Sequence, residues 1–321
     1  MLDVSEADVG IAVLPFFHIY GLTVLMALAL RHGATLVTMP RFDLEQFLRI
    51  LQDYHVTTAA VVPPIVLALA KHPLVDQFDL SALNYLGCGA APLGADLEEA
   101  CAKRLGCQTG QGYGLTETSP VLTTQPREES RIRHGSAGQL VPNTEARVVD
   151  LITGEPLGPN QNGELCFRGP QVMRGYLNRP AETAQMLQPD GWLHSGDIGY
   201  VDDDGYLYVV DRVKELIKYK GMQIAPAELE AVLVSHPAIA DAAVVRMPDE
   251  EAGEVPKAFV VASTELTSQQ VIDHVAAHVA PHKKVRAVEF VDEIPKAPSG
   301  KILRRVLMER DQHPAGSPPG V

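Results

Sequence analysis

Between residues 9 and 111, short runs rich in β-branched residues alternate with stretches whose apolar positions recur at helical spacing. The runs 10–14, 34–38, 57–61, 84–86 and 108–111 predict strands, and 21–31, 44–54, 64–71 and 93–104 predict helices. Strict alternation of the two is the pattern of parallel β-α units packed in layers. Two helix starts carry local signals. Asp43 can cap the helix that follows it, and Pro64 suits a first-turn position, where no N–H is needed.

From 135 to 210 the texture changes to short strands, 145–149, 164–168 and 206–210, separated by Gly, Pro, Asn and Asp, which predicts a small antiparallel sheet or barrel. Beyond Asp211-Arg212 a mixed segment follows, with helices at 226–236 and 268–280 and strands at 241–246, 258–262 and 288–291. The expected fold class is α/β. A first domain, 1–211, would comprise β-α layers (1–130) and a β-rich segment (131–211), and a smaller α+β domain would follow at 212–310. The tail 311–321 is rich in Pro, Gly and Ser and is expected to be disordered. No internal repeat is found.

Composition narrows the choice of partner. Hydrophobic residues make up 46% of the 321 and charged residues 21%, an ordinary globular balance. With 27 Lys and Arg against 40 Asp and Glu the net charge is −13, the wrong sign for a nucleic-acid binder that works by neutralising phosphates. Any anionic ligand must be met by a local basic patch. Cys88, Cys101, Cys107 and Cys166 form no C-x-x-C pair and no zinc-like spacing with histidine, so free buried thiols in a reducing compartment are expected. The apolar stretches 22–30 and 56–70 fall short of the roughly 18 residues a membrane span needs, the second being broken by Pro63-Pro64. The acidic start MLDVSEAD is unlike a secretory signal, and a cytoplasmic location is expected.

G-x-S-x-G, H-E-x-x-H and G-x-G-x-x-G are all absent, and Ser299-Gly300-Lys301 lacks the glycine and hydroxyl of a phosphate loop. His194, Ser195 and Asp197 lie too close along one strand to form a nucleophile relay, because successive side chains alternate in direction. Tyr113-Gly114-Leu115-Thr116-Glu117 offers a flat aromatic, a compact turn, a hydroxyl and a carboxylate suited to a hard cation; a plain polar turn is the alternative. Arg212, Lys214, Lys218 and Lys220 form the densest positive run, against Asp211 and Glu215, where a polyanion could be received; a solvated strand-turn face is the alternative. Lys301, after Gly300, could follow charge as it builds on a transferring phosphoryl group.

Six segments occur in one order: LPFFHIYGL, GCGAAPL, GQGYGLTETSP, GELCFRGPQVMRGYLNRP, DGWLHSGDIGYVDDDGYLYVVDRVKELIKYKGMQIAPAELE and PKAPSGKILRR. Together, over nearly the whole chain, they resemble the acyl-adenylate-forming enzymes, with the 4-coumarate:CoA ligase branch the most similar. The resemblance implies part of a large AMP-binding domain, followed by a small C-terminal domain that rotates about Asp211-Arg212. It also implies ATP-dependent ligation of an aryl or phenylpropenoid acid to coenzyme A through acyl-AMP, with Mg²⁺. Tyr113 would then line the adenine, Thr116 bind the α-phosphate and Glu117 hold Mg²⁺, with Gly89, Ala90, Ala91, Pro92, Gln111, Gly112 and Gly114 also on the nucleotide. Asp197, joined by Arg212, would take the ribose hydroxyls; Lys214 and Lys218 would approach the nucleotide and Gln223 the adenylate. Lys220 and Gly221 would lie on the coenzyme A side, and Lys301 would bridge the acyl carboxylate and the α-phosphate.

The same resemblance implies an acid pocket lined by His18, Ile19, Tyr20, Gly89, Ala90, Gly112, Pro120 and Val121. Val24 and Gly87 stand where plant coumarate ligases have a small polar and a larger residue, so medium-chain or other aromatic acids are the alternative substrates. The family's Ser/Thr/Gly-rich phosphate loop, which precedes the segment like LPFFHIYGL, has no counterpart in this sequence. The expectation is a piece of a longer enzyme, inactive in adenylation by itself, with a truncated nucleotide- or CoA-binding remnant as the alternative.

Overall fold

The computed structural model describes residues 4–297 and 299–312, with side chains described through 310. The described residues form two compact units, divided between Val209 and Val210; residues 299–300 group with the first and 301–312 with the second.

In the first unit, β1 (Val9–Ala12), β2 (Thr35–Thr38), β3 (Thr58–Val61), β4 (Tyr85–Cys88), β5 (Gln108–Gly114), β6 (Val121–Thr124) and β7 (Gln139–Leu140) form one sheet in the order β2-β1-β3-β4-β5-β6-β7. The first five pair in parallel, as the alternation of strand and helix predicts, and β6 and β7 add antiparallel. The helix Leu44–Asp53 starts where expected because Asp43 Oδ1 accepts the Gln46 N–H at 2.9 Å. It buries Phe47, Leu48 and Leu51. The helix Pro63–Lys71 opens on two prolines that sacrifice no hydrogen bond there, and buries Ile65, Val66 and Leu69. These side chains join Ile11, Val61 and Leu86 of the sheet in one core. The helix expected at 21–31 begins at Tyr20 and is wound as a π-helix to Ala27 before an α-helical end at Leu28–His32.

The β-rich segment is a four-stranded sheet of β8 (Glu145–Val149), β9 (Gly163–Arg168), β10 (Leu193–Val201) and β11 (Leu207–Arg212), ordered β11-β10-β9-β8, with β8 and β10 antiparallel to β9. Leu165, Phe167 and Leu207 pack with Leu122 of β6, so one cluster joins this sheet to the first.

The second unit holds β12 (Ile217–Tyr219), β13 (Met222–Ile224), β14 (Ile239–Asp249), β15 (Gly253–Ala262) and β16 (Ala287–Phe290). The helices Pro226–Ser235 and Ser268–His278 bury Leu229, Leu233, Val271 and Val275 with Val244 and Val260 of the sheet. A further cluster joins Ala243, Val245 and Phe259 to Leu307 of the helix Arg304–Gln312. That helix corrects the start of the expected disordered tail: Asp311 and Gln312 are helical, while 313–321 lie outside the described residues. Leu307 is fully buried, and this anchor is what a tail composition cannot show. Among the described residues no helix is long and apolar enough to cross a membrane.

A buried ion pair ties this helix to the rest of its unit. Arg304 Nη2 donates to both carboxylate oxygens of Glu230 at 2.8 Å and its Nε to the Val244 carbonyl at 3.2 Å, while the Val244 N–H donates to Glu230 Oε1 at 2.8 Å. Burial nonetheless pushes the Glu230 carboxyl up to about 7. Arg304→Leu should therefore strand a buried carboxylate and cost about 3–5 kcal/mol in urea denaturation, whereas the Arg304→Leu, Glu230→Leu double variant should recover much of that loss. Equal losses in the single and double variants would contradict the account.

Candidate functional site

The C-terminal end of β5 runs directly into the segment Leu115–Pro120, and the loop after β4 lies beside it. Gln111 of β5 clamps the two together: its amide oxygen accepts the Leu93 N–H at 3.1 Å, and its amide nitrogen donates to the Leu93 carbonyl at 3.0 Å and to Glu98 Oε2 at 2.7 Å. The Gln111 side chain is thus spent on scaffold, and its carbonyl accepts the Gln125 N–H at 3.1 Å. Within the clamped loop Ala90 takes φ +73°, a left-handed conformation that costs a non-glycine residue of order 1 kcal/mol. The loop is held there by Gln111 and by the Gly89 N–H on the Val61 carbonyl, 3.2 Å.

Tyr20 lies against this loop. A Cβ on Gly89 would stand 3.2 Å from its ring, and its hydroxyl donates to the Val61 carbonyl at 3.4 Å. His18 Nδ1 accepts the Tyr20 N–H at 3.2 Å. Tyr20 and Gly89, two of the residues expected in an acid pocket, are therefore in contact, and His18 adjoins Tyr20 along the chain. On the far side β5 passes so close to Pro120 that a Cβ on Gly114 would lie 1.9 Å from the Pro120 carbonyl oxygen; glycine alone fits. The buried Thr118 hydroxyl closes the turn by donating to that same carbonyl at 2.6 Å.

Thr116 is exposed and Glu117 half-buried. Glu117 Oε1 accepts the Tyr176 hydroxyl at 2.5 Å, and its carbonyl accepts the Met173 N–H at 2.8 Å. Burial and the Glu117 carboxylate push the Tyr176 phenol up to about 12, so it remains a donor. Sequence reasoning passed over Tyr176, whose one signal was its place in GELCFRGPQVMRGYLNRP.

Asp197 is buried on β10, and its Oδ2 accepts the Tyr113 hydroxyl at 2.6 Å across 84 residues of sequence. The Tyr113 ring in turn tilts onto Phe167, centroids 5.7 Å apart. Ser195 donates to the Leu165 carbonyl at 2.7 Å and accepts the Asp197 N–H at 3.0 Å, so its hydroxyl serves the backbone and not a nucleophile relay. The four cysteines are free thiols, three of them buried, as expected.

The remaining candidates belong to the second unit. Lys218 and Gln223 are direct partners in the β12–β13 hairpin, which places them side by side. Lys220 (φ +47°) and Gly221 (φ +80°) form its two-residue turn, the geometry in which both central residues are left-handed. The Lys220 ammonium pairs with Glu251, which holds it in the charged form. Arg212, Lys214 and Lys218 are exposed. Asp211 is buried, accepting the Arg212 and Ala227 N–H groups at 2.7 and 2.8 Å, so it caps the helix Pro226–Ser235 instead of offsetting these cations. Lys301 closes a loop in which its carbonyl accepts the Ala297 N–H at 2.8 Å.

The family model for AMP-binding enzymes matches residues 2–177, and that for the AMP-binding enzyme C-terminal domain matches 228–301. Over 307 residues the chain is 51% identical to a 4-coumarate:CoA ligase of Pinus taeda, covering 94% of this chain and 57% of that one. Among solved structures it resembles the anthranilate CoA ligase AuaEII in complex with anthranoyl-AMP (27% identity, TM-score 0.87, 96% of this chain and 60% of that one). It also resembles the o-succinylbenzoate CoA synthetase MenE of Bacillus subtilis in complex with ATP and magnesium ion (32% identity, TM-score 0.80, 96% and 62%). The chain spans less than two thirds of the length of each of these relatives. Sequence motifs, fold and matched relatives agree, and the chain belongs to the AMP-binding enzyme family.

Proposed function

We propose that the chain is the greater part of an ATP-dependent carboxylate:CoA ligase of the 4-coumarate type. The observation that carries this reading is the Tyr113–Asp197 hydrogen bond, which sets a flat aromatic ring and a buried carboxylate side by side. A nucleoside presents two such surfaces, a planar base and a pair of ribose hydroxyls. On this reading Tyr113 lines the adenine and Asp197, with Arg212, takes the ribose. Gly89, Ala90, Ala91 and Pro92 follow the nucleotide together with Gln111, Gly112 and Gly114.

A carboxylate is a poor electrophile and has to be activated. Its oxygen attacks the α-phosphorus of ATP, the bond to pyrophosphate breaks and acyl-AMP forms. The coenzyme A sulfur then attacks the acyl carbon, and the bond to AMP breaks. Thr116 donates to the α-phosphate, and Lys301 offsets the charge that builds between carboxylate and phosphate. Glu117 fits Mg²⁺: Tyr176 occupies one carboxylate oxygen, the other is left for the ion, and Mg²⁺ ordinarily combines one or two carboxylates with phosphate and water. When bound, the ion neutralises phosphate charge. Lys214, Lys218 and Gln223 serve the nucleotide side, and Lys220 with Gly221 the coenzyme A side.

His18, Ile19, Tyr20, Gly89, Ala90, Gly112, Pro120 and Val121 line the acid pocket, with Tyr20 as the aromatic wall. Tyr20 packs directly on Gly89, where a Cβ would stand 3.2 Å from its ring, so the missing side chain lets this aromatic wall close onto the loop after β4. Val24 and Gly87 contribute no side-chain hydrogen-bonding group there, which keeps non-phenolic acids, medium-chain ones included, as a second reading.

The test supplies chemically made coumaroyl-AMP, so that the second step is read without the first. With coenzyme A the chain should release coumaroyl-CoA and AMP; tight binding of the adenylate without turnover would favour a nucleotide-binding protein over a ligase. In the full-length enzyme, phosphate loop included, Lys301→Ala should depress ATP-driven pyrophosphate release about 100-fold, equivalent to about 3 kcal/mol of transition-state electrostatics, and spare the thioester step. Lys220→Ala should do the reverse. Single-turnover kinetics of the two steps checks both, and equal slowing of both by Lys301→Ala would remove it from the adenylation step.

A further inference from the structure

Glu164 has no part in the reading above, yet it touches the backbone beside Asp197. Glu164 and Cys166 share a face of β9, and Cys166 stands in register with His194 of β10. His194 Nδ1 lies 2.8 Å from Glu164 Oε2 and 3.5 Å from Cys166 Sγ, and its Nε2 lies 2.7 Å from Gln188 Nε2. Gln188 Oε1 accepts from Arg147 Nη2 at 3.2 Å, and the Arg147 guanidinium rests on the Trp192 ring, 4.3 Å from its centroid. Glu164 Oε1 accepts the Gly196 N–H at 3.1 Å.

The partners fix the protons. Gln188 Oε1 faces a guanidinium and must accept, so its amide nitrogen donates to His194 Nε2. The imidazole proton then sits on Nδ1, where Glu164 accepts it. Glu164, Cys166 and His194 bring ligand-type atoms within 4.8 Å of one another. A metal, however, would need the Nδ1 lone pair that this proton occupies. Burial also raises the Cys166 thiol to about 12, with Arg147 as the nearby positive charge. A nucleophile relay fails as well, because Cys166 and Glu164 meet the same ring nitrogen.

What the network does is visible where the strand ladder breaks. Pairing between β9 and β10 is regular up to His194 and resumes at Ile198 with a shift, and within the gap Gly196 turns left-handed, φ +70°. There the Gly196 N–H goes to a side-chain carboxylate. We propose that Glu164, oriented by His194, is a positioning residue for the nucleotide: by holding the Gly196 N–H it fixes the bulge that aims the Asp197 carboxylate at the ribose. This rests on the reading of Asp197 as the ribose partner.

The experiment separates the two claims by comparing equilibrium binding of AMP and of 2′,3′-dideoxyadenosine monophosphate to the chain. Wild type should prefer AMP, and Asp197→Ala should abolish that preference. Glu164→Ala should lower it about tenfold, the scale of one misaligned charged hydrogen bond, and leave affinity for the dideoxy ligand unchanged. Glu164→Gln keeps one acceptor oxygen for two donors, the Gly196 N–H and the His194 Nδ1–H, and should fall between wild type and Glu164→Ala. A preference intact in Glu164→Ala overturns the positioning role and leaves the ribose reading standing. No preference in wild type, or one indifferent to Asp197→Ala, overturns the ribose reading and the positioning role with it. Should Glu164→Ala fail to fold, His194→Leu provides the second route: amide hydrogen exchange at Gly196 should quicken about tenfold relative to neighbouring strand amides, and unchanged exchange overturns the proposal.

Discussion

The first unit converges on the hydrogen bond from Tyr113 to Asp197. Tyr113 stands at the end of β5, the last parallel strand of the seven-stranded sheet, and Asp197 on β10 in the four-stranded one, so this 2.6 Å contact spans two sheets that are also joined through the backbone of Leu207, whose carbonyl accepts the Ala137 N–H at 2.7 Å and whose N–H donates to the Gly138 carbonyl at 2.8 Å. The apolar cluster of Leu122, Leu165, Phe167 and Leu207 supplies the non-directional attraction across that junction. The hydroxyl-to-carboxylate bond supplies direction. Being charge-assisted and part-buried, it falls among the stronger hydrogen bonds a protein makes, and a loss of alignment there is costly.

Polar burial recurs wherever the fold has to hold a loop in place. Glu98 is almost fully buried, and its Oε2 accepts both Gln111 Nε2 and the Gly135 N–H, which ties the helix Ala95–Leu105, β5 and the loop before β7 to one atom. His134 Nδ1 stands 3.4 Å from its other oxygen. In the second unit Arg304 and Glu230 do the same for the last helix. Such groups are expensive to desolvate, and apolar residues of the same volume would often serve stability as well. What they add is directional: each carboxylate accepts from two specific donors and so fixes one arrangement of the backbone.

Much of this was legible in the sequence because the signals are local. Asp43 caps its helix and Pro63-Pro64 open theirs through contacts within a few residues, and the parallel strands follow from alternation alone. The residue types near Tyr113 and Asp197 could be read as candidates, but the bond between them, like Glu230 with Arg304 at a separation of 74, depends on packing. Ser195-Gly196-Asp197 has the composition of a turn and lies in the middle of a nine-residue strand, because a bulge absorbs it. Arg304–Gln312 is polar at six of its nine positions and is held by Leu307 with Met308, and its three apolar residues are consecutive, so no helical stripe shows. Tyr176 follows a glycine in a loop, where no periodicity marks which side chain turns inward.

Ala90 has a consequence for binding entropy. A glycine at that position would reach the same left-handed backbone without steric cost, but it would also sample many other conformations. Alanine has few alternatives once Gln111 and the Val61 carbonyl have closed the loop, so the strain is exchanged for stiffness. A stiff loop has already lost the conformational freedom that a ligand would otherwise have to remove, and whatever docks against residues 89–92 keeps more of its contact energy as affinity.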